Sequence, residues 1–447
     1  MTGLWKSRAG NIPITMALLA LPMTLMLGGA LDFMRHEKAR SALQNGLDRG
    51  VLAATSLSQT MPARETIGGY VKTLGISSYT LTVDEAKALN SSVITAEIAY
   101  EMPTTFLSMI GVETLDVVAR ARAEEKRERI EISLVLDLSG SMRGARISAM
   151  VPAAKSFITR LVRPETKDYT SMSLVPYAGQ VSVGKAAFDA LATGGTGRKH
   201  DKSSCFGNLD TTFSATIPDF TAVEHVPQFS TWLVNDWKNA NKGYTPGFDA
   251  WNCPTEETSV TFLSNDPDYL THQIDGYHMF DGTATHIAMK WGLHLLDPAF
   301  KPSIKKMAGN GGPTVVSKFD DRPSPFNDGE TLKVIVLMTD GEIVAQQRPK
   351  SGLPVNNQPT VGGTNQEKVS GGKAMDLMSA ACLAAKNKGV LIYAIGFDVQ
   401  TASASFLTKL RGCASSPSHY YDAKTSDLNA IFQNIAGAIE RVHLVGY

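Results

Sequence analysis

The chain has 447 residues, with 43 Lys and Arg against 43 Asp and Glu, so no overall field points to nucleic acid. A hydrophobic share of 43% and a charged share of 19% exclude a disordered chain, and the length allows more than one domain. Cys205, Cys253, Cys382 and Cys413 lie too far apart for a CxxC zinc or redox motif. That leaves four buried thiols, or two disulfides if the chain lives in an oxidising compartment.

The N-terminus reads MTGLWKSRAG, then NIPITMALLALPMTLMLGGAL, then DFMRHEKAR. No charge falls between Ala9 and Leu31, enough helix to cross a hydrocarbon core of roughly 30 Å. The apolar stretch runs into a charged helix and not into a small-residue cleavage site, which favours a retained transmembrane anchor over 11–34 to a removed signal. Lys6 and Arg8 precede it and Arg35, Lys38 and Arg40 follow, so the positive-inside count leaves orientation open. A tail of residues 1–10 inside the cell, with the bulk outside, gives the cysteines an oxidising compartment. Over 35–60 the chain continues as an amphipathic helix, with Ala39, Leu43, Leu47, Val51, Ala54 and Leu57 three or four apart. Such a helix is either a pilin-type stalk or one that packs on its own downstream module.

Residues 61–125 are expected to form a small α+β module. SYTLTVD, SSVITAEIAYEMP and TLDVVARARAE alternate like strands, TTFLSMIGV reads as a helical turn, and nothing there carries chemistry. The charged AEEKRER leads into the main domain, 130–447. In it IEISLVL (130–136), SMSLVPY (171–177), KVIVLM (333–338) and VLIYAIGF (390–397) read as strands. Helices are predicted over 145–162, 286–296, 374–389 and 426–439, with Gly389 closing the third and Ser426 capping the last. GQVSV (179–183) is expected to pair with SMSLVPY. Near-continuous apolar strands separated by helices predict an α/β fold with a mostly parallel sheet covered on both faces. Residues 185–258 and 298–331 break the rhythm as Gly-, Pro- and aromatic-rich insertions. A Cys205–Cys253 bridge would staple the first, and Cys382–Cys413 is a matching second, although four cysteines permit three pairings.

Two apolar runs, LVLDLSGSM (134–142) and LKVIVLMTDG (332–341), stop at acids. Ligands of an open parallel sheet bind beyond the carboxyl ends of its strands. If these two strands are neighbours, Asp137 and Asp340 converge, and two acids in one crevice require a proton or a cation between them. Ser139 and Ser141 follow Asp137 on one loop, and MFDGTATH (279–286) brings the hydroxyl of Thr283. Hydroxyls and carboxylates are hard donors that suit Mg²⁺, Mn²⁺ or Ca²⁺ and not zinc.

DLSGS resembles the D-x-S-x-S of the von Willebrand factor A-type domain, and DGT and MTDG resemble that fold's later metal loops. The resemblance implies a doubly wound sheet with a divalent ion at its top. Ser139, Ser141 and Thr283 would bind the ion directly, Asp137 and Asp340 largely through water, and a partner's acidic side chain would fill the open position. The basic tail, GNIP with the apolar span, the long helix, LVPY, HIAMKWGLHLL and CASSPSHYYDA together resemble TadG-like proteins of tight-adherence (Flp) pilus assembly, with a TadE/G-like N-terminus. That family implies a single-pass bacterial inner-membrane protein, its large domain periplasmic or exposed outside, which is not an enzyme and binds a pilus subunit or assembly component.

Two other classes fit the sequence less well. A phosphohydrolase using Asp137 as nucleophile needs a second acid two residues on, where this chain has Ser139. A chelatase-type subunit of an ATPase would be cytosolic, against the anchor and the cysteines. His272, His278, His286 and His294 sit on different elements and read as ordinary surface or interface histidines. Trp232, Trp237 and Trp251 read as the first insertion's own core. Gly371-Gly372 lacks the company of a phosphate-binding loop.

Overall fold

The expected span and the expected amphipathic helix are one element, α1, running from Asn11 to Thr55. The computed structural model describes residues 11–444 apart from 57–58, 60, 77, 88–90, 127–128, 196, 208–212, 232–247, 313–318, 320, 329 and 351–364. The tail of residues 1–10, Trp232 and Trp237 therefore lie outside the described residues. The chain divides into two units, Met1–Arg127 and Glu128–Tyr447.

In the first unit α1 is followed by α2 (Ala63–Lys72) and by β1 (Thr80–Lys87), β2 (Ser91–Pro103) and β3 (Thr114–Lys126). The strands pair antiparallel in the order β1-β2-β3. Their period-two alternation sends Ile94, Ala96, Ile98, Val117 and Ala119 to one face. Leu43, Leu47, Val51 and Ala54 of α1 and Ile67 and Val71 of α2 complete that core. The second half of α1 thus buries its apolar stripe on its own module. TTFLSMIGV contains the expected turn, a 3-10 helix over Leu107–Ile110.

The second unit opens with β4 (Arg129–Asp137), α3 (Ala145–Leu161), β5 (Thr170–Tyr177) and α4 (Lys185–Ala192). β6 (Phe248–Asp249), β7 (Thr261–Ser264), α5 (Pro267–Asp275), β8 (Met279–Phe280), α6 (Thr285–His294) and α7 (Lys301–Gly309) follow. β9 (Thr331–Thr339), β10 (Gln346–Pro349), β11 (Asn365–Val369) and α8 (Gly371–Asn387) come next. β12 (Leu391–Phe397), α9 (Ala404–Cys413), β13 (Tyr420–Ala423) and α10 (Leu428–Leu444) close the chain. The main sheet runs β13-β12-β9-β4-β5-β7, parallel except for β7.

Both faces of this sheet are covered. Ile132, Leu134, Leu136, Val334, Val336 and Tyr393 pack with α3, α5 and α10, while Val135, Ile335, Leu337 and Ile392 pack with α6, α8 and α9. Ser133 sits under α6, where its hydroxyl donates to the carbonyl of Gly292 at 2.8 Å. At the end of the sheet away from Asp137, Lys333 donates to buried Glu131 at 2.5 Å, and the backbone N–H of Ser324 donates to the same carboxylate at 2.8 Å.

Several expectations are corrected. Residues 179–183 form no strand; Ser182 makes one isolated bridge, to Cys205, and β5 pairs with β7 instead. The insertions are not plain loops, because α4 and α5 lie in or beside the first and α7 in the second. α10 starts at Leu428, directly after Asp427, so Ser426 does not cap it. Gly389 does take the left-handed conformation after α8, and Gly371 and Gly372 are that helix's first residues. Cys205 joins Cys253 and Cys382 joins Cys413. The first bridge sits with Val226 and Phe229 in a small core of the insertion, whereas Trp251 packs at the edge of the α3 face. His286 and His294 are buried on α6 and are not surface residues.

Candidate metal centre

β4 and β9 are adjacent and parallel, with Leu136 beside Met338, so the chain leaves both strands at the same end of the sheet. Asp137 is the last residue of β4 and Asp340 the first after β9. Both carboxyls are buried. One Asp137 oxygen accepts from the backbone N–H of Ser139 at 2.9 Å. The other accepts from the hydroxyls of Thr339 at 2.8 Å and Tyr177 at 3.2 Å. Burial first, and the nearby Asp340 charge second, push the Asp137 carboxyl up, to about 7. Burial also raises Asp340, against the opposing pull of Ser141, Arg146 and Ser139. Tyr177 is held well above its ordinary value by burial and by Asp137, and stays a donor.

The loop after β4 turns through Gly140–Met142 and aims two hydroxyls at Asp340. The Ser141 hydroxyl donates to one oxygen of Asp340 at 2.7 Å and lies 3.0 Å from that of Ser139, which is itself 3.5 Å from the same oxygen. The other Asp340 oxygen accepts from Nη1 of Arg146 at 2.7 Å. Arg146 also reaches Asp398 at 3.4 Å. A positively charged side chain in the first turn of a helix opposes the helix dipole, and here Asp340 compensates it.

The third loop is tied to the first by backbone. The N–H of Phe280 donates to the carbonyl of Leu138 at 2.8 Å, and that of Ala284 donates to Ala178 at 2.7 Å. Gly282 has φ +85°, and a Cβ there would meet the Cα of Gly179 at 2.8 Å, so this close approach needs glycine on both sides. Thr283 is thereby held in the wall of a cleft of about 590 Å³ shared with Ser139, Ser141, Thr231 and Asp281. The Thr231 hydroxyl donates to Asp281 at 2.5 Å.

The structure thus puts Ser139, Ser141 and Asp340 in direct contact, Asp137 immediately behind Ser139, and Thr283 across the same cleft. Among the described residues no three His, Cys, Asp or Glu side chains gather into a metal cluster. The donor set at this cleft is of another kind, two carboxylates with three hydroxyls, which fits a hard divalent cation and no thiophilic one. Reading the sequence missed Tyr177, Thr339 as a brace, and Arg146. Tyr177 was accessible in principle, since it ends the strand beside Asp137 and is its register partner.

Residues 10–59 match the Tad family, described as "Putative Flp pilus-assembly TadE/G-like". No curated protein matches the chain. Among solved structures it is similar to the vWF domain of the type V pili tip protein Mfa5 from Porphyromonas gingivalis, at 14% identity and TM-score 0.37, covering 72% of this chain and 98% of that one. It is also similar to the pilus adhesin SpaC from Lactobacillus rhamnosus GG, at 12% identity and TM-score 0.37, covering 82% of this chain. That match spans 34% of SpaC, about a third of its length. The PilB minor pilin from Streptococcus sanguinis matches at 12% identity and TM-score 0.34, covering 83% and 80% of the two chains. At these values the likenesses do not establish a shared fold. Over residues 10–59, this chain is similar to the TadE/G-like segment of Flp pilus-assembly proteins.

Proposed function

We propose that this is a membrane-anchored pilus-assembly or adhesion protein whose second unit is a von Willebrand factor A-type domain that captures an acidic group of a protein partner through a divalent ion. The observation that carries the reading is the gathering of Ser139, Ser141 and Asp340 at the carboxyl ends of two central strands, with Asp137 behind and Thr283 across the cleft. Mg²⁺ or Mn²⁺ held there by largely neutral hydroxyls stays electrophilic and welcomes an incoming carboxylate. The partner is then a pilus subunit or assembly component bearing an exposed Asp or Glu. Nucleophilic use of Asp137 is disfavoured by the side chain's own surroundings: it is buried, and both oxygens already accept hydrogen bonds.

α1 would anchor the chain in the bacterial inner membrane. The second unit would lie on the periplasmic side or beyond, where its two disulfides persist. Titration of the full chain with Mn²⁺ tests the site. One ion binds the parent protein, and Ser139→Ala with Ser141→Ala abolishes binding without changing the folded circular-dichroism spectrum. Undiminished binding in that double variant would refute the assignment.

A further inference from the structure

The β2–β3 hairpin ends in an apolar tip that the functional reading leaves without a task. Met109 and Ile110 are 61% and 58% exposed, and Val112 is exposed beside them. Phe106 and Leu107, at the start of the same tip, pack against α1 where Gly28 and Gly29 leave room. A Cβ on Gly28 would fall 2.3 Å from the Phe106 ring. From Asn11 to Asp32 the helix rises about 31 Å, close to the thickness of a hydrocarbon core. The tip is therefore level with the end of the apolar span, within about one turn of it.

Its backbone is satisfied from within. Asp32 is buried and accepts from the N–H groups of Thr105 at 3.1 Å, Phe106 at 2.7 Å and Leu107 at 3.0 Å, the donors that open the 3-10 turn. Arg35 reaches the same carboxylate at 3.3 Å and the Thr105 hydroxyl at 2.7 Å. At the turn's other end, Gly111 donates to Ser108 and Val112 to Leu107, both at 3.1 Å. The Thr104 hydroxyl donates to Val112 at 2.6 Å. A loop with apolar side chains outward and its amides paired inward meets the condition for entering a medium that offers no hydrogen bonds.

We propose that residues 106–112 form a wedge that inserts beside α1 into the headgroup–acyl boundary of the leaflet through which α1 leaves the bilayer. The inference rests on the anchoring of α1. Lipid is the occupant because the exposed apolar residues of α1, among them Met26, Leu27, Leu31, Phe33 and Met34, are spread by helical periodicity over about 160° on the side opposite Gly28, Gly29 and Asp32, which hold the hairpin. A partner protein would cover one stripe, whereas acyl chains surround the collar. Glu101 on β2 and Glu113 just before β3, both exposed behind the tip, limit the depth of entry.

The test uses the full chain in phosphatidylethanolamine–phosphatidylglycerol nanodiscs, with one nitroxide-labelled cysteine replacing Ile110, Leu19 or Asp84; the native cysteines are bridged and take no label. Collision with oxygen and with a water-soluble nickel chelate is read by electron paramagnetic resonance. The expected oxygen-to-nickel ratio at position 110 is several-fold above that at Asp84 and approaches that at Leu19. A ratio at 110 equal to that at Asp84, with Leu19 in lipid, overturns the wedge alone. Leu19 open to nickel overturns the anchor and the wedge with it. Shielding of 110 from both reagents overturns the lipid assignment in favour of a second copy or another protein.

Discussion

Asp32 in the first unit and the Asp137–Asp340 pair in the second are all buried carboxylates, and they are treated in opposite ways. Asp32 is closed: three backbone amides and Arg35 converge on it, and it fixes one loop to one helix. In the second unit the nearby Asp340 charge helps raise the Asp137 carboxyl, Arg146 pairs with Asp340, and Ser139 and Ser141 beside the two acids line an open cleft. A buried acid with every lone pair answered is a structural pin. Two acids short of positive charge are a receptor for it.

The largest effect expected from breaking this contrast is at Asp32. Asp32→Ala leaves the amides of Thr105, Phe106 and Leu107 without their acceptor, and amide hydrogen exchange at those three positions should rise by orders of magnitude while Mn²⁺ binding is unchanged. Slow exchange in the variant would show that the carboxylate is not what holds the turn.

Arg146→Ala sharpens the other side. Without the guanidinium on Asp340, divalent-ion affinity should rise on the order of tenfold, a coupling of ~1.4 kcal/mol. Calorimetric titration with Mg²⁺ measures it, and an unchanged or weaker affinity would mean that Arg146 does not compete with the ion. The apo protein should meanwhile lose stability, because the buried Asp340 loses its charged partner and keeps only the serine hydroxyls.

A smaller effect extends the comparison to a buried base. His294 on α6 is buried, and neither ring nitrogen has a partner among the described residues. Burial first, then Lys290 and Lys388, lower its pKa from 6.5 to about 3. Because the folded value lies below the unfolded one, the unfolded chain binds more protons between those values, and stability falls as pH drops below 6.5. His294→Leu should flatten that slope in chemical denaturation and add about 1 kcal/mol near neutral pH by removing unpaired polar atoms. A steeper acid slope in the variant would contradict this.

The convergence of the two acids was legible because each ends an apolar run, and the most apolar strands of a parallel sheet lie at its centre. The same logic misread GQVSV, whose alternation is strand-like. Gly179 is placed by its approach to Gly282 and by its N–H donating to the carbonyl of Asp281 at 2.9 Å, which the local pattern does not contain. Short helices inside the insertions were hidden by their Gly- and Pro-rich flanks. α5 did carry a signal, with Asp266 as cap, Pro267 in the first turn, and Leu270 and Ile274 buried one turn apart. Arg146 was unreadable because its partner Asp340 is distant in sequence.

Anomalous diffraction from a crystal soaked in Mn²⁺ tests the central claim most directly. The account predicts one peak within bonding distance of the Ser139, Ser141 and Thr283 hydroxyls, with Arg146 displaced from Asp340. No peak there, with Arg146 still on Asp340 at high Mn²⁺, would contradict it.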